Sequence, residues 1–143
     1  MTHARPRTRA DVTDGPVSLD ALVEWVGDPQ AGAVVTFTGT TRTVARLEYE
    51  GYAEMARDVM ADILARVAAA HGVIAIAAHH RLGDVPRGQA GVAIAASAAH
   101  RPEAFAATRA AIDLIKAEVP IWKREIDGDR AEWVRGTPVE GAR

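Results

Sequence analysis

Two prolines, Pro102 and Pro120, constrain this chain more tightly than any other feature. Proline is favoured in the first turn of a helix, where its missing N–H would be unpaired anyway, and it disfavours helical geometry at the residue before it. One helix is therefore predicted from about Pro102 to Val119. Phe105, Thr108, Ile112, Ile115 and Val119 are spaced three and four apart and predict a single buried stripe. His100 and Arg101 stand at the helix mouth, where free backbone N–H groups and the positive dipole end favour an anion. Lys116 follows Ile112 by one turn, at the margin of the stripe. After Pro120 the chain reads IWKREI, so Ile121, Lys123 and Glu125 share one strand face and Trp122, Arg124 and Ile126 the other. If that strand folds back, a helix lysine and a strand lysine converge beside the helix mouth.

The same residues have a plainer reading. Arg109, Asp113 and Lys116 are spaced as a surface ion-pair row, worth a few tenths of a kcal/mol per pair. Lys123 and Arg124 can be alternating strand residues that face water, and His100 and Arg101 can be merely solvated.

The rest of the chain supplies alternating elements. Residues 1–8 are expected to be a flexible end, followed by a short strand at Arg9–Thr13 and a turn at Asp14-Gly15-Pro16. Ser18 is the expected N-cap of a short helix whose apolar positions are Leu19, Leu22, Val23 and Val26, stopped by Gly27-Asp28-Pro29. Ala33–Phe37 reads as a strand, TTRTVAR at 40–46 as a short polar connection, and Leu47–Tyr52 as a half-buried strand. A long amphipathic helix runs through Ala56, Met60, Ile63, Leu64 and Val67 to Gly72, a left-handed cap. Val73–His79 is a strand, residues 80–88 a long glycine-punctuated turn, and Gly91–Ala99 a strand leading into the Pro102 helix. Asp127-Gly128 closes a hairpin between Ile121–Ile126 and Arg130–Val134. The tail 136–143 is expected to be flexible.

Helices and strands alternate without a one-to-one rhythm, so the expected class is a single α+β domain with a mixed or antiparallel sheet, packed helices and a C-terminal hairpin. No repeat, linker or second domain is apparent over 1–143, a length able to bury a real core. Hydrophobic residues make up 48% but aromatics only 5%, so that core must be built from small side chains.

Several function classes are disfavoured. Seventeen Lys and Arg against nineteen Asp and Glu leave a net charge of −2, unlike a general nucleic-acid binder. No apolar run approaches a membrane span, and MTHARPRTRADV has no apolar signal core, so a soluble cytoplasmic protein is expected. The absence of cysteine removes disulfides, thiolate metal sites and a cysteine nucleophile. The histidines at 71, 79, 80 and 100 lack metal-ligand spacing, and His79 and His80 point to opposite sides of a strand, so no metal is expected. His71 and His79 read as structural histidines. Neither a phosphate-binding P-loop nor a hydrolase elbow is present.

Five blocks together carry a resemblance: AVVTFTGTTR at 33–42, LEYEGYAEMA at 47–56, HRLGDVPRG at 80–88, SAAHRPEAF at 97–105 and KAEVPIWKRE at 116–125. They resemble the large, catalytic subunit of molybdopterin synthase from about Ala33 to Val134, most specifically in the last two blocks. The resemblance implies an α/β-hammerhead fold, with no cofactor bound by this chain. It implies a sulfur transfer from a small ubiquitin-like carrier, whose C-terminal Gly-Gly ends in a thiocarboxylate, to cyclic pyranopterin monophosphate, giving molybdopterin. It also implies a homodimer of this chain within a heterotetramer, with one carrier at each far end. By resemblance, Lys116 is the essential lysine, partly desolvated, and Lys123 the second cation. Arg42, His100 and Arg101 would hold the phosphate and the carrier's carboxyl end, with Phe37 a nearby aromatic. Arg135 stands in for an arginine that the family supplies to the neighbouring subunit, although it follows Trp133 more closely than the family pattern. Only Thr43-Val44-Ala45-Arg46 separates Arg42 from Leu47, shorter than the flexible loop common in the family. These departures are what support the alternative of a non-catalytic paralogue that binds the carrier or a phosphorylated ligand.

Overall fold

A computed structural model describes residues 5–134. In chain order the elements are β1 (Arg7–Thr13), α1 (Leu19–Val26), β2 (Ala33–Thr40), β3 (Arg46–Gly51), α2 (Ala53–His71), β4 (Ala75–Arg81), β5 (Gly83–Pro86), β6 (Ala90–Ala98), α3 (Arg101–Glu118), β7 (Ile121–Asp127) and β8 (Arg130–Val134). They form two four-stranded sheets, ordered β1-β4-β6-β2 and β5-β3-β7-β8. The first is mixed, since β1 runs parallel to β4 while the other pairs are antiparallel; the second is antiparallel throughout. The α+β class expected from the sequence is the class observed.

The first sheet lies between helices, which explains its composition. Strands buried on both faces read as continuous apolar runs, as in AIAA of β4 and GVAIAASA of β6. Residue parity divides them. Ala75, Ala77, Ala93 and Ala95 meet Leu22 and Val26 of α1 on one face. Ile76, Ala78, Val92, Ile94 and Ala96 meet Met60, Ile63 and Leu64 of α2 and Ala107, Ala111 and Ile115 of α3 on the other. Alanine on the α1 side lets that helix lie close. There the buried Ser97 hydroxyl donates to the Val26 carbonyl at 2.7 Å and so satisfies a helix-end acceptor that α1 leaves open. Each large aliphatic fully buried on the α2/α3 side contributes about 1.5–3 kcal/mol.

Helix ends follow the sequence signals. Ser18 Oγ accepts the Ala21 N–H, Gly72 ends α2 at φ +66°, and α3 has His100 at its N-cap, Pro102 in its first turn and Val119 at its C-cap before Pro120. The Asp127-Gly128 hairpin forms, with Gly128 at φ +64°.

Four expectations are corrected. Arg7 and Thr8, expected to be a flexible end, belong to β1, because Arg7 pairs with Ala75 and its guanidinium donates to the Trp25 and Gly27 carbonyls. The long turn at 80–88 holds strand at both ends: β4 continues through Arg81, and Gly83–Pro86 pairs with β3. The polar connection at 40–46 is shorter than expected, since β2 runs through Thr40 with an irregularity at Gly39, and Arg46 begins β3. Phe105 is 60% exposed and is not part of the buried stripe. Its place is taken by Ala104, Ala107 and Ala111, because α3 packs so close to the sheet that alanine fits the inner line. The tail 136–143 and Arg135 lie outside the described residues.

Candidate functional site

The site forms where α3 ends and β7 turns back. Pro120 stops the helix, and the Ile121 N–H donates to the Val119 carbonyl at 2.8 Å, a tight reversal. Strand β7 then runs antiparallel to β3, which sets Lys123 opposite Tyr49. The second sheet thereby closes over the end of the first. Between them lies a cavity of about 620 Å³ whose walls include Tyr49, His80, Ile112, Ile115, Lys116 and Lys123. Gly39 and Thr40, at the end of β2, complete one side.

Both lysines therefore reach one cavity, as the sequence reading required. They do so at the C-terminal end of α3, not at its mouth. Arg101 and Lys116 are fifteen residues apart on one helix, about 22 Å along its axis at 1.5 Å per residue. His100 and Arg101 are exposed at the other end, outside the cavity lining. Convergence of the lysines with the His100–Arg101 pair within one chain is thus corrected by helix length alone. The plainer reading holds in part: Arg109 pairs with Asp113 at 3.8 Å and His100 and Arg101 are exposed, but the ion-pair row stops before Lys116.

Desolvation was expected at Lys116, yet that side chain is exposed. Strand β7 instead half-buries Lys123. Burial, then the nearby Lys116 charge, lowers the Lys123 pKa from its ordinary value, with Glu125 opposing. Glu118 also borders the cavity, but its carboxylate accepts from Arg66 at 2.7 Å. The two ammonium groups thus face a cavity whose nearby carboxylate is already engaged, a setting suited to anionic ligands.

His80 is the feature that sequence reasoning missed. The sequence places it at the opening of a turn, whereas β4 carries it one step further with the inward parity of Ile76 and Ala78. His79, of opposite parity, is half-buried with its Nε2 2.6 Å from the Thr13 hydroxyl. The His80 ring is 7% exposed, sits edge-on to Tyr49 with centroids 4.9 Å apart, and has Nδ1 2.9 Å from the Arg81 carbonyl. Burial holds its pKa down at about 4; the hydrogen bond to Arg81 opposes this, and the charges of His79 and Lys116 add to it. Burial also raises the Tyr49 pKa. Inward parity at the end of an apolar run was the available signal.

Arg42 is exposed on the loop that leaves Thr40, and Phe37 packs on the helix-facing core of β2; neither lines the cavity. The short Arg42 loop is held in place. The Arg87 guanidinium donates to the Thr43 and Val44 carbonyls at 3.0 and 2.9 Å, and the Arg87 and Gly88 N–H groups donate to Ala45 and Thr41. These bonds keep Thr43 at φ +67°, a left-handed conformation that costs a β-branched residue about 1–3 kcal/mol. Among the described residues no three His, Asp or Glu converge as metal ligands, and no helix is long and apolar enough to cross a membrane.

Comparison with known proteins identifies the family. The profile of the MoaE protein family matches residues 12–118. A molybdopterin synthase catalytic subunit of Oryza sativa subsp. indica is 46% identical over 129 residues, 86% of this chain and 67% of that protein. Molybdopterin synthase catalytic subunit 1 of Mycobacterium tuberculosis is 41% identical over 133 residues, 89% of this chain and 90% of that protein. Among solved structures, molybdopterin synthase from Staphylococcus aureus superposes with a TM-score of 0.84 at 34% identity, covering 88% of this chain and 96% of the other.

Proposed function

The chain belongs to the MoaE protein family, and on that premise we propose that it is the catalytic subunit of a molybdopterin synthase, transferring sulfur to cyclic pyranopterin monophosphate. Its role is enzymatic and lies in molybdenum cofactor biosynthesis. The observation that carries the reading is the pair Lys116 and Lys123, brought from helix and strand to one cavity.

The sulfur donor is a small carrier protein ending in a Gly-Gly thiocarboxylate, and the word subunit in the relatives' names supports such a partner. Donor and precursor are both anionic. A cavity with two ammonium groups brings them together and strengthens each contact by excluding water. The carrier's thiocarboxylate sulfur forms a C–S bond to a precursor carbon as a C–O bond there breaks and its oxygen leaves. Water then cleaves the acyl–sulfur bond, leaving sulfur on the precursor and a carboxylate on the carrier. Lys116, once it has given up its proton, acts at the acyl carbon as general base for the attacking water, or as a nucleophile whose acyl adduct water then cleaves. Lys123, the second cation of the cavity, stabilises the departing carboxylate or thiolate. Phe37 lies near the Gly39 edge of the cavity, where a Cβ on Gly39 would meet its ring at 3.6 Å.

Arg42, His100 and Arg101 bind the precursor's phosphate and the carrier terminus. The length of α3 separates the His100–Arg101 pair from the lysines of the same chain, which supports a site completed across a homodimer, each copy lending its helix mouth to the cavity of the other. A carrier on each copy makes the heterotetramer. Arg135 is proposed for the same cross-subunit role.

The test is single-turnover conversion of cyclic pyranopterin monophosphate by the purified chain with thiocarboxylated carrier, beside Lys116→Ala. Product from the native chain and almost none from the variant is expected. Carrier binding without product from the native chain would make it a non-catalytic binding protein.

A further inference from the structure

His80 has no part in the chemistry described above, although it occupies the cavity wall beside both lysines. Its tautomer is fixed by geometry. A carbonyl oxygen only accepts, so the nitrogen 2.9 Å from the Arg81 carbonyl, Nδ1, must carry the hydrogen. In the neutral ring Nε2 is then an acceptor, and no described residue bonds to it. The edge-on contact with Tyr49 and the enclosing strand set the ring plane. The surrounding polar groups supply hydrogens: Lys116 and Lys123 are donors only, and the Glu118 carboxylate is already paired with Arg66. The cavity wall thus has cations for anionic groups and, besides the freely rotating Thr40 and Tyr49 hydroxyls, a ring acceptor whose tautomer is preset.

We propose that His80 Nε2 is the acceptor for a ring N–H of the bound heterocycle, and so selects a nitrogen-bearing ring in addition to the anionic groups that the lysines attract. This rests on the proposed function and adds the ring contact to it. The low pKa of His80, set by burial and lowered further by the adjacent Lys116 charge, keeps the acceptor free of a proton at neutral pH. It also makes His80 too weak a base to deprotonate lysine, which favours a hydrogen-bonding role over proton transfer.

The experiment is equilibrium binding of cyclic pyranopterin monophosphate to the native chain with carrier in its carboxylate form, compared with His80→Phe and His80→Gln. Phenylalanine keeps the ring's shape and removes the acceptor, so affinity should fall roughly ten- to hundredfold, the cost of leaving a buried donor unpaired. Glutamine restores an acceptor and should recover much of the loss, while carrier affinity stays unchanged. Binding to His80→Phe within twofold of native overturns the proposal, as does unchanged binding with slowed turnover, which would mean that His80 orients a lysine. If His80→Phe does not fold, 15N-histidine spectra of the native chain decide: the Nε2 resonance should shift on adding the precursor, and a resonance that stays in place overturns the assignment. Native chain that binds the precursor but does not convert it when given thiocarboxylated carrier would sink the sulfur-transfer reading and leave this one intact. Native chain that does not bind it would sink both.

Discussion

The two sheets of this protein are built on opposite principles. In the first, β4 and β6 are covered on both faces, alanine alternates with larger aliphatics, and the inward polar side chains are few. In the second, Trp122 and Trp133 are more than half exposed, and charge runs along the strands, as where Arg124 donates to Glu48 at 2.6 Å and stacks over Trp133. The first sheet stores the stability of the fold; the second forms one wall of a cavity that stays open. Tyr49 joins them, its ring edge-on to His80 of β4 and so close to Gly91 of β6 that a Cβ there would stand 2.9 Å from Cε2.

Substitutions should separate the two roles. The largest effect is expected at the cavity, where Lys116→Ala should lower single-turnover rates by about 10²- to 10⁴-fold, as for loss of a general base. Because Lys116 is exposed, urea denaturation of the same variant should agree with the native chain to within about 0.5 kcal/mol. A matching loss of stability would mean that the lysine is structural. Ile94→Ala should do the reverse: truncating this fully buried side chain should cost about 2–5 kcal/mol in denaturant titrations. A cost under about 1 kcal/mol would show that the first sheet is not the stability store.

His80 stands on the border and should show in the pH dependence. Its folded pKa of about 4 lies below the ordinary 6.5, so between those values the unfolded chain binds the proton that the folded chain refuses. Stability from this group is full above pH 6.5 and declines as pH falls, by about 3 kcal/mol once pH 4 is reached. Lys116 from α3 and His79 on the same strand sharpen the decline, and Tyr49 faces the ring without charge at these pH values. The difference between native and His80→Phe, followed by thermal melting from pH 7 to 4, isolates it. Equal slopes would place the ring in contact with water. The smallest effect belongs to the Arg42 loop, where Arg87→Ala removes two exposed hydrogen bonds and should cost about 1 kcal/mol. Weaker precursor binding in this variant, at unchanged carrier affinity, would tie the loop to the substrate.

Much of this was legible in the sequence, and the gaps have physical causes. Pro102, Pro120, Ser18 and Gly72 gave helix limits because caps act locally, through groups only a few residues away. Phe105 misled because helical spacing identifies a stripe but not the distance to the neighbouring layer; close packing filled the inner line with Ala104, Ala107 and Ala111. The two lysines were found, but their position along α3 was not, since convergence depends on which end of the helix the following strand folds over. His80 was lost when Gly83 was read as part of a turn. Glycine at φ +83° here begins β5, and strand pairing with β3 is not visible from local residues.

The length of α3 carries a genetic consequence. With the His100–Arg101 pair at one end and Lys116 about 22 Å away at the other, the proposed two-copy site would draw on each copy for a different half. A chain defective at Arg101 and a chain defective at Lys116, each inactive alone, would complement each other on mixing. One hybrid pocket would combine the intact Lys116 of one with the intact Arg101 of the other, while its twin inherits both defects.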